Sequence, residues 1–136
     1  MTRDAIRALL RESKIVAVVG LSPDPTRPSH GVARYLQAAG YRIVPVNPTV
    51  TAVLGERSYA SLAAAAREHP IDVVDVFRRS ALAGGVVDEA IALRPRLIWL
   101  QQGVVDDAAA ARAAAAGIPL VMDRCLAVDH QLLEVT

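Results

Sequence analysis

The chain has 136 residues, 53% of them hydrophobic, with a formal net charge of +1. That length suits one domain, able to bury roughly two-thirds of its unfolded surface. The balanced charge offers no basic excess for nucleic acid and no charged run for a disordered tail.

In chain order, residues 3–13 have the spacing of a short amphipathic helix, with Ile6, Leu9 and Leu10 on one face. Residues 15–20 form an apolar, β-branched run ending in Gly20, the pattern of a strand buried on both faces of a parallel sheet. A loop with three prolines, two serines, Arg27 and His30 follows, then a helix over about 31–39 that Gly40 is placed to cap. The second strand spans 41–48. Pro45 cannot donate to a ladder, so this strand is expected to be ending there or to face a gap in pairing. Residues 49–60 read as irregular, and Ser61 caps a helix over 62–68. The third strand is 72–77, with Asp72 and Asp75 as its polar boundary. A helical pattern covers 81–94, where Gly84 and Gly85 place the firm start near Gly85. The fourth strand is 97–101, with Trp99 expected in the core. Asp106 or Asp107 starts an alanine helix to 116, Gly117 closes it, and 118–122 is the fifth strand. A last short helix is expected around 128–133.

Strands alternating with helices at this spacing predict an α/β fold: one doubly wound parallel sheet of five strands with helices on both faces. The expected strand order is 3-2-1-4-5. Ligands in such sheets bind outside the carboxyl ends of the strands, at the point where the order reverses beside the first strand. Four polar loops should open on that crevice. They carry Gly20 and Ser22, then Asn47 and Pro48, then Arg78, Arg79 and Ser80, and finally Gln101, Gln102 and Gly103.

A strand opening through a polar loop into a helix start is an anion site, because unpaired backbone N–H groups point out of the helix. Arg27, Ser29 and His30 stand where they add donors to it. The structural alternative is that Ser29 only caps the helix, Arg27 is solvated and His30 lies on the surface. Arginine supplies fourteen of the fifteen basic groups, Lys14 being the other. That suits phosphate contacts, but an overall compositional bias explains it as well. The G-x-G-x-x-G fingerprint is absent, since no second glycine follows Gly20 until Gly31, and Asn47 stands where a ribose-binding acid would be. A G-K-[ST] phosphate loop is absent too.

These runs together resemble the small bacterial and archaeal CoA-binding protein family: Val16-Ala17-Val18-Val19-Gly20-Leu21-Ser22, Pro28-Ser29-His30-Gly31-Val32-Ala33, Gly40-Tyr41, Pro45-Val46-Asn47-Pro48, Gly55, Asp72-Val73-Val74-Asp75-Val76-Phe77-Arg78-Arg79 and Ile98-Trp99-Leu100-Gln101-Gln102-Gly103, with Asp123-Arg124-Cys125 and His130. The likeness covers residues 13–133. That family is similar to the N-terminal CoA-binding domain of the succinyl-CoA synthetase alpha subunit. The resemblance implies a Rossmann-like fold and coenzyme A, or an acyl-CoA, as ligand. The pyrophosphate would lie on the loop and helix start from Gly20 to Gly31, approached by Gly20, Leu21 and Ser22. Val46, Asn47 and Pro48 would flank the adenosine. Phe77, Arg78 and Arg79 would meet a phosphate or line the pantetheine path, and Gln102 and Gly103 would close the far side. The alternative for Arg78 and Arg79 is a solvated turn or an ion pair with Asp75 or Asp24.

No catalytic constellation is evident. Asp123, Cys125 and His130 are too close in sequence and too mixed to signal a triad or a zinc site, and Cys125 reads as a small buried apolar group. Exchange of a disulfide between Cys125 and the CoA thiol depends on its reaching the crevice. His69 reads as a surface residue at a helix end. The synthetase's phosphorylated histidine belongs to a later domain, which this chain stops short of. The expectation is therefore a CoA-binding protein without its own chemistry. The alternatives are a dehydrogenase or acyl-CoA ligase component needing a partner, and a metabolite or redox sensor. A protein partner or a homo-oligomer stays open. One cysteine excludes an internal disulfide, and the chain shows neither a secretory segment nor the roughly 20-residue apolar stretch of a membrane span. A cytoplasmic location is expected.

Overall fold

The computed structural model describes residues 1–135. Helix α1 (Arg3–Glu12) leads into β1 (Ile15–Val19), α2 (Pro28–Ala38) and β2 (Arg42–Val46). A small hairpin, β3 (Ala52–Val53) and β4 (Glu56–Arg57), precedes α3 (Leu62–Glu68). Then come β5 (Val73–Val76), α4 (Ser80–Leu93), β6 (Leu97–Leu100), α5 (Asp107–Ala115), β7 (Leu120–Val121) and α6 (Leu126–Leu132). The main sheet is parallel and five-stranded, in the order β2-β1-β5-β6-β7. Among the described residues no helix is long and apolar enough to cross a membrane.

Period-two alternation divides the apolar strands between two helix layers. Ala17, Val19, Val74, Val76, Ile98 and Leu100 pack with α3, α4 and α5. Val16, Val18, Ile43, Val73, Leu97 and Trp99 pack with α1, α2 and α6. Trp99 is in the core as expected, fully buried, its indole N–H donating to the Arg124 carbonyl at 2.8 Å.

The strand order corrects the expected 3-2-1-4-5. Counting only the five strands of the sheet, it is 2-1-3-4-5: β2 is an edge, and β5 lies on the other side of β1. The reason is at Pro45. Arg42 N–H donates to Lys14 and the Val46 carbonyl accepts from Gly20, so these alternate residues face β1. Pro45 therefore faces outward, where its missing N–H leaves no gap and its carbonyl accepts from Tyr59 N–H. In β5, by contrast, every side chain is buried, as an interior strand requires. The reversal still falls beside β1, now between β1 and β5.

Three local expectations also change. Residues 49–60 contain an ordered hairpin, whose two turn residues Leu54 and Gly55 both have positive φ (53° and 77°); that is a type I′ turn, here with leucine at the first position. Helix α2 starts at Pro28 rather than 31, so Ser29 and His30 are in its first turn. Helix α4 starts at Ser80 rather than near Gly85. Gly84 lies mid-helix because a Cβ there would come 2.8 Å from Asp106 Oδ2, the carboxylate that caps α5.

Asp75 is a further correction. It is no boundary residue but lies inside the sheet, 0% exposed, with Val18 and Trp99 as its register partners. Neither carboxyl oxygen has a hydrogen-bond partner, and burial pushes its pKa well above the usual carboxylate range. Asp72 does sit at the strand's entry, its Oδ2 accepting from the N–H groups of Lys14 and Ile15.

Candidate functional site

At the carboxyl ends of β1, β5 and β6 lies a crevice of about 440 Å³. Its floor begins at Gly20, which has φ +88° and donates its N–H to Val46 O at 2.9 Å. A Cβ there would stand 2.6 Å from the Phe77 carbonyl oxygen. Only glycine lets the β1 exit pass this close to the β5 exit.

The loop after Gly20 is tied by its own polar groups. Ser22 N–H donates to Ser29 Oγ at 3.0 Å, and Asp24 N–H donates to Ser22 Oγ. The Asp24 carboxylate accepts from both the N–H and the hydroxyl of Thr26, which lowers its pKa. Ser29 is thus not the helix cap: Arg27 occupies that position, and Ser29, only 4% exposed, fastens the loop to the helix. Ser29→Ala should lower unfolding free energy by about 1 kcal/mol by removing this acceptor; urea denaturation checks it, and an unchanged midpoint would deny the tie.

Two long helices start at this crevice. Neither α2 nor α4 has a side-chain cap or an acidic residue in its first turn. The starts of α1, α3 and α5 are closed by Thr2, Ser61 and Asp106. Ser80 Oγ does not cap α4; it accepts from Val105 N–H at 2.9 Å and ties α4 to the β6 exit. Two uncapped positive dipole ends therefore converge on one space. Arg27, Arg78 and Arg79 line it as well, and none forms an ion pair with a described carboxylate, Asp24 and Asp75 included. The arrangement suits an extended ligand with more than one anionic group.

Of the fifteen residues named from the sequence as ligand contacts, Gly20, Ser22, Arg27, Ser29, Phe77, Arg78, Arg79, Gln102 and Gly103 line the crevice, joined by Gln101, which the sequence also placed at the β6 exit, and by Pro28 and Val104. Gln101 is doubly placed: it is 4% exposed, and its Oε1 accepts from Leu126 N–H, holding the start of α6. The other six residues stand elsewhere. The Leu21 side chain is fully buried beneath α2. His30 and Gly31 lie along α2 outside the crevice lining. Val46 is buried against the α3 layer. Asn47 and Pro48 open instead on a separate cleft of about 390 Å³ with Tyr59 and Arg57. Asn47 acts on the crevice indirectly, its Nδ2 donating to Leu21 O at 2.9 Å and so joining the β2 exit to the β1 exit.

Cys125 is half-buried against the α1, α2 and α6 layer and is not among the residues lining the crevice. Asp123 accepts from Gly103 N–H, while His130 pairs with Tyr35 on α2, so the two are engaged apart. His69 is half-buried and bonded to the Tyr59 hydroxyl at 3.1 Å.

Comparison with known proteins agrees with this architecture. The Bacillus subtilis protein YneT is 42% identical over 125 residues, covering 92% of this chain and 91% of that one. A solved Thermus thermophilus protein, cell-free ID.343, is 42% identical with a TM-score of 0.91, over 98% of this chain and 99% of that one. The fold also recurs in the acetyl-coenzyme A synthetase 1 of Ca. Korarchaeum cryptofilum, at 21% identity and TM-score 0.75, over 90% of this chain and 28% of the synthetase. A family model described as a CoA binding domain matches residues 14–131. The β1 exit, the β5 and β6 exits and both uncapped helices all fall within that span, and the chain belongs to the CoA-binding domain family.

Proposed function

We propose that the crevice binds coenzyme A or an acyl-CoA, and that the protein is a binding module without chemistry of its own. The observation that carries this reading is the convergence of two uncapped helix starts and three unpaired arginines on one crevice, in a chain of this family. The diphosphate lies over the Gly20 exit and the start of α2. Arg78 and Arg79, at the start of α4, take a phosphate or flank the pantetheine arm. Val46, Asn47 and Pro48 are not retained as direct contacts of the crevice; Asn47 and Pro48 reach an adenosine only if it extends over the β2 exit toward their separate cleft. Gln102 and Gly103 bound the opposite end.

Calorimetric titration with CoA, acetyl-CoA, NAD and ATP tests the reading. The CoA species should bind and raise the melting midpoint by mass action. Stabilisation by NAD alone would favour a dehydrogenase component instead. Arg78→Ala should weaken CoA binding by on the order of 1–3 kcal/mol, through loss of a charge-assisted contact; an unchanged affinity would remove Arg78 from the site.

A further inference from the structure

Away from the crevice, α1 carries Arg7 and Arg11 one turn apart, and Lys14 follows just past the helix, in the extended link to β1. Arg7 and Arg11 line a cleft of about 590 Å³ together with Tyr35, His130 and Gln131. An adjoining cleft of about 180 Å³ shares Arg11 and His130 and adds Lys14. Neither space shares a lining residue with the crevice.

None of the three cations forms an ion pair with a described carboxylate. Arg7 Nε is enclosed and has no hydrogen-bond partner. A shielded guanidinium N–H in a native protein ordinarily has an acceptor, and among the described residues this one has none. Among the described residues Glu134 is the one acid in the lining, against three cations. The wall opposite α1 is well ordered: His130 is 4% exposed, its Nδ1 lies 2.8 Å from the Tyr35 hydroxyl, and its ring stands edge-on to Tyr35 and Tyr41.

We propose that this cleft is a second anion site, in which Arg7 and Arg11 hold a phosphate-type oxyanion against the His130 wall. Their one-turn spacing, about 6 Å along the helix axis, lets two guanidinium forks converge on one tetrahedral group. Lys14 adds charge from the adjoining cleft. The site is independent of what the crevice binds.

The three histidines make the test local. His30 lies on the first turn of α2, His69 ends α3, and His130 lines the cleft. Imidazole NMR signals are followed while inorganic phosphate is added at fixed pH, with chloride at matched ionic strength as control. The His130 signal should move saturably in the wild type and in Arg78→Ala/Arg79→Ala. In Arg7→Gln/Arg11→Gln the half-saturating concentration should rise at least tenfold, with the circular dichroism spectrum unchanged. The exposed Arg11→Gln alone should raise it about threefold, which keeps the test open should the double variant unfold. Movement of His30 alone, a linear His130 response, or an undiminished response in Arg11→Gln would overturn the site.

Discussion

Gly20→Ala should lower the unfolding free energy by about 2–5 kcal/mol and abolish the CoA binding proposed for the crevice. Two effects add. The φ of +88° is left-handed, which costs an L-residue roughly 1–2 kcal/mol. The new Cβ would also stand 2.6 Å from the Phe77 carbonyl oxygen, and overpacking costs about 1–3 kcal/mol. The obstacle is backbone in the centre of the sheet, so it cannot swing aside as a side chain would. Relief requires the β1 and β5 exits to part, and these two exits form the crevice floor. Gly103 supplies an internal control: it has the same φ of +88°, but a Cβ there meets nothing within 4 Å. Gly103→Ala should show the conformational cost alone, about 1–2 kcal/mol. Urea denaturation of both variants measures the difference, and equal losses would mean that the close approach at Phe77 is not rigid.

This contrast explains what the sequence could disclose. The buried strands were readable because β1 and β6 are uninterrupted apolar runs and β5 is broken only by Asp75, and the crevice was readable because each strand's exit is polar. Nine of the fifteen candidate residues line the crevice because they sit within a few positions of a strand end or a helix start. The six others were chosen by that same nearness, but direction matters too. Val46 points into a core layer, Leu21 is covered by α2, and Asn47 turns back onto the β1 exit. Strand order was less legible, although Pro45 held the clue: an interior ladder has no use for a residue without an N–H, so β2 had to be an edge. The glycine pair in α4 misplaced the helix start because the requirement at Gly84 is tertiary, set by Asp106 more than twenty residues away. Nothing local marks the Arg7 and Arg11 cleft either, since its opposite wall comes from α2 and α6.

Asp75→Asn should reverse sign with pH, becoming more stable than the wild type as pH rises. In the wild type the folded carboxyl is held neutral by burial, with a pKa well above its ordinary 3.8. Unfolded, the same group ionises near that ordinary value. Between the two pKa values the folded chain keeps a proton that the unfolded chain has released. Stability therefore falls with rising pH, by about 1.4 kcal/mol per pH unit from this one group. Below 3.8 both states are protonated and the loss is absent; above the raised pKa the slope ends, but the accumulated loss persists. Asparagine has nearly the same shape and never ionises, so it removes the slope. Its amide takes the place of a carboxyl group whose oxygens have no hydrogen-bond partner, and near pH 4 it should be no better than the protonated acid. His130 titrates in both proteins, its pKa lowered by burial, and its contribution cancels in the comparison. Unfolding free energies of the two proteins from pH 4 to pH 8 give the difference curve. It should climb with pH, and a flat curve would show that Asp75 finds a partner for its charge inside the sheet.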